Sequence, residues 1–157
     1  MAQPPEIKDY FKCYELFRDY VKHEDELINK RLSWNLTLQG LLFAGYGFSL
    51  QVLNGEKSKP ELVDHAKWLL VLFPVVGGLV GFLAWLSIRA AMIAIDGLNE
   101  KWKKALNHIH PESRDILPGL VGAGQDRAQR WGATAQFWIP LVIVFAWIII
   151  ILHGAFR

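Results

Sequence analysis

An all-α integral membrane fold is predicted here, with three transmembrane helices, an amphipathic N-terminal helix and a cytoplasmic extension of the second span. Three observations predict it. Residues 135–152, AQFWIPLVIVFAWIIIIL, form an eighteen-residue run without charge, and 32–53 and 68–88 are further uncharged stretches of spanning length. Crossing ~30 Å of hydrocarbon takes roughly 20 apolar residues at ~1.5 Å of rise each. Second, 52% of the chain is hydrophobic while 20% is charged, so charge and apolarity must be segregated along it. Third, Lys and Arg are distributed asymmetrically. Six precede the first span (Lys8, Lys12, Arg18, Lys22, Lys30, Arg31) and seven follow the second (Arg89, Lys101, Lys103, Lys104, Arg114, Arg127, Arg130), against three in the first connection and one at Arg157. Positive charge is retained on the cytoplasmic side, which puts the N-terminus there and the C-terminus on the opposite face. The 157 residues make one membrane domain, with about 90 residues outside the lipid, too few for a large soluble catalytic unit.

The elements follow in order. Residues 5–31 are predicted as a cytoplasmic amphipathic helix, because Ile7, Tyr10, Tyr14, Phe17, Val21 and Ile28 recur at alternating three- and four-residue intervals, with Glu24 breaking the series. Such a stripe needs a partner, either this chain's own cytoplasmic helix or the same helix of a neighbouring subunit. The first span, 32–53, is the most polar of the three. Arg31, Asn35 and Gln39 stand four apart and share one helical stripe, with Tyr46 two turns further in much the same direction. In lipid each such group needs protein or water to face. The stripe is therefore either pore-lining or an interhelical hydrogen-bonding seam. Gly40 and Gly47 would let another backbone approach.

The second span, 68–88, lies within a long helix predicted over 66–109, since Met92, Ile95, Leu98, Trp102, Leu106 and Ile109 continue the period beyond the membrane. Its projecting part offers Trp102 as a partner for the N-terminal stripe. Gly77 and Gly81 form a small-xxx-small packing surface, and Pro74 lies one turn before them. Arg89 and Asp96, seven residues apart on nearly one face, are a candidate ion pair. Residues 111–130, rich in Gly and Pro, read as a cytoplasmic loop, and the third span, 132–153, is nearly featureless apart from Gln136 and Pro140 near its start.

Several function classes find no support. A net charge of +2 without a basic block argues against nucleic acid. The lone Cys13 excludes an intramolecular disulfide and a multi-cysteine zinc site. His23, Glu24, Asp25 and Glu26 are consecutive on a helix and point around it, so they cannot converge on one metal ion. The segment GLVGAG lacks the GK[ST] ending of a phosphate-binding loop, and His108 and His110 have no identifiable nucleophile beside them. No cofactor, metal or catalytic residue is expected.

The string HEDELINKRLSWNLTLQGLLFAGYG, in which Glu26, Arg31 and Asn35 run into a span, and the later AWLSIRAAMIAIDGLNEKW together resemble small bacterial inner-membrane proteins of the RipA-type octameric family. They are also similar to the two-span SLATT effectors, from which the third span and the Gly-rich loop depart. The resemblance implies a homo-oligomeric helical assembly in the bacterial inner membrane with a cytoplasmic helical layer; similarity to the effectors further implies membrane perturbation or a pore. Two functions then compete: a homo-oligomeric pore lined by Arg31, Asn35, Gln39 and Tyr46, and a non-conducting scaffold or accessory subunit that recruits a cytoplasmic protein through its helices. A small membrane enzyme or transporter using Arg31, Arg89, Asp96 or the histidines is the third. Membrane lipid is a partner in every case.

Overall fold

The computed structural model describes residues 7–55, 59–107, 119–120 and 127–155, which form three helices and, among the described residues, no strand. Helix α1 is Ile7–Asn54, α2 is Pro60–Leu106 and α3 is Arg127–Ala155. Each holds a stretch long and apolar enough to cross a membrane. The loop expected at 111–130 lies largely outside the described residues, as do His108, His110 and the side chain of Ile7.

α1 joins the predicted 5–31 and 32–53 elements into one helix. Nothing in the chain stops it at the membrane boundary, since no proline occurs between Ile7 and Asn54 and the first glycine is Gly40. Its 48 residues run about 72 Å at ~1.5 Å each. α2 is its near equal in length and starts six residues before the expected position. Lys59 is extended (φ −65°, ψ 142°) and Pro60 opens the helix, a site where its missing N–H is no loss and its fixed φ is already helical. Glu61 in the first turn and Lys103 and Lys104 in the last complement the helix dipole.

α1 and α2 form an antiparallel hairpin; α3 returns antiparallel to α2 and touches α1 less. The N-terminal stripe packs on this chain's own α2. Tyr14 and Trp102 are buried against each other with ring centroids 5.5 Å apart, and Phe17 meets Trp102 edge-on at 6.1 Å. Tyr10 and Cys13 adjoin this cluster and Leu120 closes it. Val21 is buried as well, and nearer the membrane Ile28 is sealed against Ile88 and Ala91. The three- and four-residue spacing thus becomes an apolar seam along the hairpin, interrupted at Glu24 between its two clusters.

Two site assignments change. Arg89 and Asp96 do not pair: residues seven apart are two turns, ~10.5 Å, apart along the axis, and the Arg89 guanidinium instead lies over the Trp85 ring, 5.4 Å from its centroid. Gly40 and Gly47 have nothing within 4 Å of an added Cβ, whereas at Gly45 that atom would meet the Phe73 ring at 2.8 Å. The buried face of α1 runs through Asn35, Gln39 and Ser49, and a residue one position past Gln39 is turned ~100° away from it. Among the described residues the one ion pair is Lys67–Asp64, 3.1 Å long and exposed. Lys67→Ala should change stability by no more than about 0.5 kcal/mol in a thermal melt, because such pairs are solvated and entropically costly to fix.

Candidate functional site

Asn35, Gln39 and Ser49 of α1 face inward within the spanning region, whereas Thr37 is exposed and donates to the Ser33 carbonyl of its own helix at 3.0 Å. The buried stripe meets the other two helices at Gln39. Its Nε2 donates to the Gly77 carbonyl oxygen at 2.8 Å and more weakly to Asn35 Oδ1 at 3.4 Å, while its Oε1 accepts from Trp147 Nε1 at 2.7 Å. One amide thereby ties α1 to α2 and α3. Gln39 is 2% exposed and Trp147 fully buried, so these bonds form without competition from water, where each interhelical bond contributes ~0.6–2 kcal/mol.

Small residues make the junction possible. At Gly77 a Cβ would overlap the Trp147 indole, and at Gly81 it would come within 2.9 Å of Val144 Cγ2. Glycine lets α2 approach the indole closely enough for the Gly77 carbonyl to reach Gln39. The Trp147 ring is also stacked on Phe43, 4.1 Å between centroids and 4° between planes, and Tyr46 meets it edge-on at 5.9 Å. Tyr46 is thus placed beside the polar stripe through its ring. Toward the charged end of the hairpin, Arg31 Nη1 donates to the Ser87 carbonyl at 3.3 Å, and Gln136 Nε2 donates to Asn29 Oδ1 at 3.0 Å. Pro74 and Pro140 are fully buried in the same helical layers. Among the described residues two buried donors have no partner, Asn35 Nδ2 and Trp85 Nε1.

Trp147 is the member least visible in sequence, since it stands in a uniformly apolar run that also holds Phe137, Trp138 and Phe145. The available signal was chemical: an indole N–H deep in a span needs an acceptor. Ser49 is also buried and donates to the Gly45 carbonyl of its own helix at 2.9 Å. Among the described residues no three of His, Cys, Asp and Glu gather in a way that could hold a metal ion.

A second feature adjoins the stripe. A groove of about 620 Å³ opens between α1 and α2, and its lining is apolar apart from Lys30, Arg31, Asn35, Thr37 and Ser87. Three apolar helices, a polar knot tying them together and an extramembrane hairpin define a small helical membrane protein. The sequence model of the octameric membrane protein family (8xMP) matches residues 11–156, nearly the whole chain, and the chain belongs to that family. It is a homo-oligomeric integral membrane protein. No curated protein and no solved structure matches it.

Proposed function

We propose that the protein is a non-conducting, non-catalytic membrane scaffold: copies assemble side by side through their spans and hairpins, and the extramembrane layer they create holds a cytoplasmic protein. The observation that carries this is the use of Gln39, whose donor and acceptor are both taken up inside its own protomer by Gly77 and Trp147. A pore lined by this stripe would need those groups turned to an axis. The outward surface of α1 in the span is mostly apolar, with Leu36, Leu41 and Phe48 exposed and the Thr37 hydroxyl turned onto its own helix, and it suits acyl chains or sister helices better than water.

On the extramembrane hairpin, Leu16 is 66% and Tyr20 54% exposed, one turn apart, and they offer an apolar contact free of the inner seam. Phe17 points the other way, into Trp102, so charging it would damage the fold rather than a docking face. We place the chain in the bacterial inner membrane with its N-terminus in the cytoplasm, supported by thirteen Lys and Arg on that side against four on the other.

Reconstitution decides between scaffold and pore. Protein in liposomes should release no more ions or small dye than empty vesicles, and Gln39→Leu should lower stability rather than alter flux. Conductance by the parent protein that Asn35→Leu or Gln39→Leu changes while assembly stays intact would overturn the proposal. In parallel, the double substitution Leu16→Glu and Tyr20→Glu should weaken assembly or partner capture by about tenfold or more, read by mass in nanodiscs, with helix content unchanged.

A further inference from the structure

The groove between α1 and α2 is ordered along its length in a way that matches one class of ligand, and we propose that it binds a single anionic phospholipid. At its charged end stand Lys30 and Arg31, and no carboxylate lines the groove. Arg31 commits one guanidinium nitrogen to the Ser87 carbonyl, which fixes the side chain while leaving further N–H donors for an oxyanion. One helical turn deeper is Asn35, 4% exposed, whose Nδ2 is buried without a partner and which borders the groove. Beyond it the walls are Leu38, Leu41, Val80 and Leu83, with Thr37 the one polar side chain among them, its hydroxyl already donating to the Ser33 carbonyl.

Cation, neutral donor, then hydrocarbon is the order of groups along a phospholipid. The phosphate sits at Lys30 and Arg31 and an acyl chain lies against the leucines, while Asn35 Nδ2, closed off from the groove surface, meets an ester carbonyl once its side chain turns outward. The ~620 Å³ volume falls within the roughly 300–1,000 Å³ of built small-molecule sites. Trp34, 74% exposed on the same wall, sits at the level where an indole is favoured beside lipid headgroups.

A sister helix is a poorer occupant. Its backbone carbonyls are already consumed by its own hydrogen bonds, so only a side chain placed at the level of Lys30 and Arg31 could supply an acceptor, and without one it would bury those charges at a cost. The site does not depend on whether the assembly conducts.

The test uses the intact oligomer, delipidated in detergent and titrated with phosphatidylglycerol or phosphatidylcholine of identical chains, bound lipid being counted by native mass spectrometry. Phosphatidylglycerol should bind at least several-fold more tightly. Removing one cation near the headgroup should weaken it roughly fivefold, and Lys30→Gln with Arg31→Gln together roughly 25-fold, with phosphatidylcholine little changed. Asn35→Leu should weaken both lipids, as should Ala84→Phe, which fills the groove from α2. Glycerol phosphate without chains should not compete. Should Arg31→Gln disturb assembly, Lys30→Gln and Ala84→Phe decide alone, since neither residue takes part in the Gln39 junction. Equal affinity for the two lipids, indifference to loss of the cations, or a disulfide trapped between Leu41→Cys of neighbouring copies with no lipid bound would each overturn the proposal.

Discussion

Replacing Trp147 by alanine is expected to destabilise the protomer by about 3–5 kcal/mol, the cost of emptying a large buried aromatic site. Trp147 is fully buried, stacked on Phe43 and hydrogen-bonded to Gln39 Oε1. Its loss therefore opens a cavity and strands an acceptor in a region without water. Trp147→Phe separates the two effects. It keeps most of the ring and removes only the N–H, so it should cost about 1–3 kcal/mol, a fall of roughly 2–12 °C in the thermal midpoint at ~2–4 °C per kcal/mol. Gln39→Leu should cost a similar amount because it leaves the indole N–H without an acceptor. Combined with Trp147→Phe it should cost clearly less than the two added, by about 0.5 kcal/mol or more. Strict additivity in that double-mutant cycle would mean that the 2.7 Å bond contributes nothing to the fold.

Adjacent glycines should behave oppositely. Gly77→Ala places a methyl where the Trp147 ring already lies, and the ring is held from behind by Phe43. Overpacking of this kind costs about 1–3 kcal/mol, more than alanine's advantage over glycine in a helix, ~1 kcal/mol. At Gly78 nothing lies within 4 Å of the added atom, so Gly78→Ala should be neutral or stabilise by up to about 1 kcal/mol. Thermal melts of the two variants in one detergent read the contrast directly. Equal midpoints would show that the close approach of α2 to α3 is not limited by Gly77.

The three spans were legible because charge-free length is a property of the chain itself, independent of what it packs against. The same holds for the N-terminal stripe, whose spacing announces a buried face and whose partner Trp102 lay on the one long helix able to reach it. Legibility fell where contacts join distant positions. The four-residue spacing of Arg31, Asn35 and Gln39 marked a shared face, but the groups that Gln39 bonds lie 38 and 108 residues away, and no local pattern names them.

Phase explains the glycines. Gly40, Gly45 and Gly47 look alike in sequence, and only the rotational position of the buried face separates the one that meets Phe73 from the two that meet nothing. At Arg89 the nearer neighbour prevails: Trp85, four residues back, offers its ring face at 5.4 Å, while Asp96 is two turns off along the rod.

Because α1 crosses the membrane boundary without a break, the part from Ile7 to Arg31 is a stiff lever roughly 36 Å long. Tilting the spans by about 10°, within the range by which helices answer a change in bilayer thickness, swings its far tip by roughly 6 Å. Squeezing or thinning of the lipid is thereby amplified into motion at the outermost turn, and a weight hung on that turn would in return lean the buried portion over.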